Sequence, residues 1–169
     1  MPLTPKIIKP PHVLATKVGS GGLPDYVVER ADNAMQKINF DIKPVVIVEL
    51  DYISRALAPM SKHHIDITRE NREELVTHAM MIRAHAGMFH YHFIYEVADD
   101  LVFTLNYIDQ MNDDAAELIR LQLKVLQRVI DHATPHELST EEHAVIAEID
   151  KAIMRYCKRY PKAKSHQPA

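Results

Sequence analysis

Apolar residues recur along most of this chain at the three- and four-residue steps that mark one face of an α-helix, and six segments show the pattern. The clearest stripe extends from Leu75 through Ala79, Ile82 and Ala86 to Phe89, in steps of 4, 3, 4 and 3. The pattern predicts six amphipathic helices that share one core. The stripes predicted for the other five helices are Val27, Val28, Ala31, Ala34, Met35 and Ile38; Val46, Leu50, Ile53 and Leu57; Phe93, Val97, Leu101 and Leu105; Ile119, Leu123, Leu126 and Ile130; and Val145 or Ile146 with Ile149, Ile153 and Tyr156.

Several predicted helices begin at residues that cap helix N-termini. Asp66 or Thr68 is expected to cap the third helix, and Asn112 the fifth. Ser139 and Glu142 have the spacing of a capping box, in which each side chain accepts a hydrogen bond from the other residue's backbone N–H. We therefore expect the last helix to begin directly after Ser139.

The second segment, over about residues 42–60, admits two interpretations. Val45 to Val48 form a continuous apolar run that suits a buried strand, whereas the stripe that begins at Val46 has helical spacing. Helix is favoured because its spacing continues beyond the apolar run. The first helix is expected to begin at Pro24, since proline is favoured at the first helical position.

Prolines and glycines predict how the chain is divided. Residues 1–23 are expected to form an extended arm, because four prolines oppose helix there and a Gly-Ser-Gly-Gly stretch follows them. Residues 24–160 are expected to form a single helical domain, and residues 161–169 a disordered tail. No proline occurs between Pro59 and Pro135, so the turns of a β-fold are not indicated. We predict an all-α antiparallel bundle with a four-helix core, additional helices and the arm.

Composition narrows the classes of function. The 169 residues are 47% hydrophobic, which suits one domain with one core. The longest apolar runs are far shorter than the roughly 20 residues that cross a bilayer, and no signal peptide is evident, so a cytoplasmic protein is expected. Cys157 is the only cysteine, which excludes an internal disulfide and a cysteine-built zinc site. A net charge of −3 without a long basic run disfavours nucleic-acid binding.

Histidine is unusually frequent, with 11 residues in the chain and six of them between His63 and His92. Exposed loop positions are the expectation for His63, His64, His90 and His92. A metal-binding bundle is an alternative, because clustered imidazoles suit zinc, nickel or copper, and Glu96 could add an oxygen ligand. The paired Glu-x-x-His motifs of di-iron bundles, phosphate loops and nucleophile elbows are missing from the sequence. We therefore predict no cofactor, no metal and no enzyme active site.

The third helix contains a segment that resembles the signature of histidine-phosphotransfer domains. In that family the phosphoacceptor histidine is followed by an apolar residue at +2, lysine at +3, glycine at +4, a small residue at +7 and an apolar residue at +9. The matching residues of this chain are Ile82, Arg83, Ala84, Gly87 and Phe89. Met80 then stands at the phosphoacceptor position. The segment from Phe89 to Leu101 also resembles the helix that follows in the family, and the arm and first helix resemble those of small stand-alone bacterial members.

The resemblance implies a module of a bacterial two-component or phosphorelay system, with a receiver domain or a histidine kinase as partner. A methionine thioether cannot hold a stable phosphoryl group, so Met80 predicts docking without phosphate transfer. An active phosphotransfer protein with a displaced histidine, His78 or His85, is the alternative. Neither histidine is followed by lysine at +3 and glycine at +4.

On a helical wheel drawn at about 100° per residue, a second group of apolar residues lies on the side of the third helix opposite its core stripe. The docking residues predicted there are Met80, Arg83, Ala84, Gly87 and Met88, with Met81 at their flank. Methionine adapts to partners of different shape, so this face is expected to bind a partner. The alternatives are that the N-terminal arm or a second copy of the chain covers it.

Overall fold

The computed structural model describes residues 23–37, 41–63 and 67–162, and the predicted all-α fold is confirmed there. No strand occurs in these ranges, where the one β-type contact is an isolated bridge between Tyr91 and His136. None of the helices described is long and apolar enough to cross a membrane. The helices are α1 (Asp25–Lys37), α2 (Lys43–His63), α3 (Arg69–Met88), α4 (His92–Tyr107), α5 (Asp113–Ile130) and α6 (Thr140–Arg159).

The chain divides into two compact units, Met1–Ile38 and Asn39–Ala169. The first unit contains α1 and the second contains α2 to α6. The single domain predicted for residues 24–160 therefore spans both units. Of the predicted arm only Leu23 is described, and of the predicted tail only Pro161 and Lys162, so both expectations lie largely outside the described residues.

In the second unit, α2 to α5 form a four-helix bundle. Each of these helices packs against the next one in the chain, α2 also packs against α5, and α6 packs against α4 and α5. Ion pairs join Arg72 to Asp109 and Arg83 to Asp99, so the start of α3 lies beside the end of α4 and the two helices are antiparallel. The short connections and the closing contact between α2 and α5 give an up-and-down arrangement.

The predicted stripes of α2 to α5 supply most of the core. The segment 43–63 is one helix, so the strand interpretation of Val45 to Val48 is wrong. Gln122 is also fully buried, and its Nε2 donates a hydrogen bond of 3.0 Å to Thr104 Oγ1 across the α4–α5 interface. The predicted core residues that are buried are Val46, Leu50, Ile53, Leu57, Leu75, Ala79, Ile82, Ala86, Phe93, Val97, Leu101, Leu105, Ile119, Leu123, Leu126, Ile130, Ile149, Ile153 and Tyr156.

The predicted caps are confirmed where they are described. Thr68 caps α3 by accepting a hydrogen bond from the backbone N–H of Asn71, whereas Asp66 lies outside the described residues. The Asn112 side chain caps α5 in the same way. Ser139 and Glu142 form both hydrogen bonds of the capping box at the start of α6. Each cap satisfies backbone donors that the first turn of a helix leaves unpaired.

The structure corrects the prediction for Phe89, which is partly buried rather than fully buried. Phe89 follows the last residue of α3 and has φ −109° and ψ 17°, so its side chain leaves the helical stripe. The next residue, His90, has a φ of 61°, in the left-handed region. The backbone N–H groups of His90 and Tyr91 donate to the carbonyls of Gly87 and Ala86, which is the Schellman pattern that ends a helix.

Two other predicted stripes are less buried than expected. On α6, Val145 is exposed and Ile146 is only partly buried, and Ile149 is the first residue of this helix that is buried. On α1, Val28 is exposed and Val27 is partly buried. The side chains of Met35 and Ile38, from the same stripe, are outside the described part of the chain.

Candidate functional site

The central helix of the candidate site, α3, has a buried face and an exposed face. Leu75, Ala79, Ile82 and Ala86 are buried and anchor α3 to the core. On the opposite side, Met80, Met81 and Met88 keep 45%, 43% and 54% of their surface exposed. Ala84 lies among these methionines on the helical wheel and is also exposed. We call Met80, Met81, Ala84 and Met88 the methionine face.

Two predicted docking residues lie at the edge of this face, where α3 meets α4. Arg83 is half-buried and forms an ion pair with Asp99 of α4, so its guanidinium already has a carboxylate partner. Gly87 is exposed, but a Cβ there would lie 3.1 Å from the ring of Tyr95. The absence of a side chain at Gly87 thus lets the Tyr95 ring approach α3. Both residues support the α3–α4 interface, and a docking role for them stays a prediction.

The opposite edge, where α3 meets α2, holds His78 in a network of polar side chains. His78 Nδ1 forms a hydrogen bond with the Glu49 carboxylate, and the imidazole stacks on the Tyr52 ring with 3.8 Å between ring centroids. Tyr52 in turn donates a hydrogen bond to Glu74. Only 27% of the His78 side chain remains exposed. A carboxylate accepts hydrogen bonds, so Nδ1 is the donor to Glu49, and in the neutral imidazole the lone pair is then on Nε2.

His85, the other candidate phosphoacceptor, lies nearly two turns further along α3. Its Nδ1 donates a hydrogen bond of 2.8 Å to the backbone carbonyl of Met81, and its side chain is half-exposed. The nearby imidazoles of His90 and His92 have ring centroids 6.0 Å apart, and His92 Nε2 lies 3.8 Å from Glu137. Within residues 23–37, 41–63 and 67–162, no three His, Cys, Asp or Glu side chains come together as a metal site would require.

Asp100 has unusual electrostatics, and no motif in the sequence marks it. It lies on α4, half-buried, and its Oδ2 is enclosed without a hydrogen-bond partner among the described residues. Burial raises the pKa of Asp100 from 3.8 to about 7, with further contributions from the charges of Asp150, Asp99 and Glu96. Its signal in the sequence is weak, because Asp99-Asp100 looks like any pair of solvated acids on a helix.

Glu49 and Tyr52 were also missed as neighbours of His78. They lie three residues apart on the flank of α2 that faces α3, but neither residue belongs to a recognisable motif. Their contact with His78 depends on how α2 is aligned along α3, which no single segment specifies.

No protein-family model, curated protein sequence or solved structure matches this chain. The resemblance to histidine-phosphotransfer domains therefore stays a prediction from the residues of α3. The structure contains two independent features that bear on function. They are the exposed methionine face and the pair of His78 and Glu49 at its edge.

Proposed function

We propose that this protein is a non-catalytic docking module of a bacterial two-component or phosphorelay system, and that it binds its partner through the methionine face of α3. The observation that carries the proposal is the exposure of Met80, Met81 and Met88 on a helix whose other face is fully used in the core. A helix that is apolar on two sides has one side left for another protein to cover.

The chemistry of the methionine face suits docking rather than phosphate transfer. Methionine has a flexible, polarisable side chain that adapts to the surface it meets. It offers no nitrogen that could attack an aspartyl phosphate, and Met80 stands where the resembled family has its phosphoacceptor. The proposed partner is the receiver domain of a response regulator, or a histidine kinase, in the cytoplasm.

Replacing Met80 by glutamate should weaken binding to the cognate receiver domain or kinase by about tenfold or more, because the carboxylate would have to be buried without a partner. The expected unfolding midpoint is close to that of the wild type, since Met80 is exposed. Met154→Glu is the matched control, because Met154 is a 69% exposed methionine on α6. Isothermal titration calorimetry with purified receiver and kinase domains measures the effect.

Equal affinities of the wild type and Met80→Glu for the partner domain would contradict a docking role of the methionine face. The absence of binding between the wild type and the receiver and kinase domains would contradict it as well. The molecular mass of the protein in solution tests whether a second copy of the chain covers the methionine face instead. A wild-type dimer that Met80→Glu converts to a monomer would mean that a second copy of the chain covers the face. If Met80→Glu unfolds while Met154→Glu does not, Met80 belongs to the core and the proposal fails.

The pair of His78 and Glu49 supports a second candidate function, that of an active phosphotransfer protein. A carboxylate at Nδ1 holds the imidazole in place and keeps Nε2 available as a nucleophile. In the transfer, Nε2 would attack the phosphorus of a receiver's aspartyl phosphate, and the aspartate carboxylate would leave. We rank this candidate second, because Tyr52 stacks on the ring and nearly three quarters of the side chain is covered.

We expect the wild-type protein to gain no acid-labile phosphate from a phosphorylated receiver domain. Radiolabelled transfer, followed by separate acid and base treatment of the product, measures phosphohistidine directly. The deciding comparison is His78→Gln with His85→Gln. Label on the wild type that persists in His85→Gln and disappears in His78→Gln would overturn the prediction and establish the second candidate.

A further inference from the structure

A groove follows the contact between α2 and α5, away from α3. Its volume is about 420 Å³, and its floor consists of core residues including Leu57, Ile119 and Leu123. Small side chains on α2, Ser54 and Ala58, leave the space open. Sites for small molecules are typically apolar clefts of about 300–1,000 Å³ with a few polar groups, so both the size and the floor of this groove suit a ligand.

The rim of the groove is positively charged. Arg120 and Lys124 lie one turn apart on α5, and both line the groove and are exposed. Neither forms an ion pair or a hydrogen bond with any residue in the described part of the chain. Like charges four residues apart on a helix repel each other, so an anion bound between these two side chains would relieve that repulsion.

Arg128 lies one further turn along α5 and also forms no ion pair with a described residue, but it lines a separate pocket beside Phe93 and Ile94 of α4. By contrast, Arg55 on the facing helix is neutralised by Asp51 at 2.7 Å. The unpaired positive charge of the groove is thus that of Arg120 and Lys124 on its α5 side, at the rim of an apolar floor.

We propose that the groove between α2 and α5 binds a single-chain anionic amphiphile of the fatty-acid class, with its carboxylate held by Arg120 and Lys124 and its alkyl chain on the apolar floor. A neutral apolar ligand would leave the two cations unpaired, and a small inorganic anion would leave the floor in contact with water. An amphiphile satisfies both parts of the site. The site is separate from the methionine face and does not depend on the docking proposal.

The test uses the full-length protein and decanoate below its micellar concentration, measured by calorimetry. We expect saturable binding with one site, at least tenfold weaker binding of decanol and acetate, and weaker binding of decanoate at high salt. The double variant Arg120→Gln/Lys124→Gln should weaken decanoate binding by about tenfold or more. The matched control is Arg155→Gln/Lys158→Gln, which removes an exposed arginine and lysine from α6 and should bind decanoate as the wild type does.

A second variant tests the floor without altering charge. Ser54→Phe should fill the groove and reduce decanoate affinity, while a circular-dichroism melt checks that the variant remains folded. The proposal is overturned if decanol binds as tightly as decanoate, if the Arg120→Gln/Lys124→Gln variant retains full affinity, or if no binding occurs at submillimolar decanoate. Met80→Glu should bind decanoate normally, so failure here is distinguishable from failure of the docking proposal.

Discussion

Ile82→Ala should lower the free energy of unfolding by about 2–5 kcal/mol, the range for removing a large aliphatic side chain from a packed core. Ile82 has no exposed surface, and it lies at the centre of the α3 stripe with Ala79 and Ala86 to either side. Truncation removes apolar contacts and leaves a cavity that the neighbouring helices cannot fill without moving. Urea unfolding followed by circular dichroism gives the value directly.

The adjacent residue supplies the control for that measurement. Met81→Ala changes a side chain that is 43% exposed, so its cost should stay below about 1 kcal/mol. Phe89→Ala should lie between the two, because Phe89 is only partly buried beyond the end of α3. A cost below about 1 kcal/mol for Ile82→Ala would mean that α3 is rotated from the orientation described, and the methionine face would then not be exposed.

Asp100→Asn should stabilise the protein at pH 8 and have little effect near pH 4. The pKa of Asp100 is raised to about 7 in the folded protein and has its ordinary value near 3.8 in the unfolded chain. Between these values the unfolded chain loses the proton and the folded protein keeps it, so stability falls as pH rises from about 4 to about 7. Above pH 7 both states are ionised, and the penalty stays at its full size.

The expected gain at pH 8 is about 1–2 kcal/mol, which is less than the full pKa difference implies because Asp100 is only half-buried and solvent screens its charge. Urea unfolding of the variant and the wild type at pH 4.5, 6 and 8 measures the difference. Asp150→Asn should give a smaller gain with the same pH trend, because it removes only one of the neighbouring charges. A variant that is less stable than the wild type at pH 8 would contradict the assignment.

The helices and their caps could be predicted because their determinants are local. Thr68, Asn112 and Ser139 each cap a helix through a backbone N–H three residues ahead, and the apolar steps along α3 need no other helix to be recognised. Phe89 shows where local spacing fails. The apolar steps continue through it, but the left-handed backbone at His90 ends the helix first.

The candidate site could be predicted only in part. The exposure of a side chain follows from the apolar stripe of its own helix, whereas its polar partners can lie on a second helix. The outward direction of Met80 is determined once the core stripe of α3 is known. The contact of His78 with Glu49 requires the alignment of α2 on α3. The raised pKa of Asp100 depends first on its burial in the bundle and then on the charge of Asp150 from α6. Neither helix pair has a sequence signal that fixes its register.

The order of packing in the bundle bears on how the chain reaches its folded state. Among the described helices, α2 to α5 each pack on the next helix along the chain, and the main contacts that skip a neighbouring helix are those of α2 with α5 and of α4 with α6. Proteins rich in local contacts fold within microseconds to milliseconds, since little chain entropy is lost before each contact forms. We expect the contact between α2 and α5 to form last during folding. The same contact shapes the groove beneath Arg120 and Lys124.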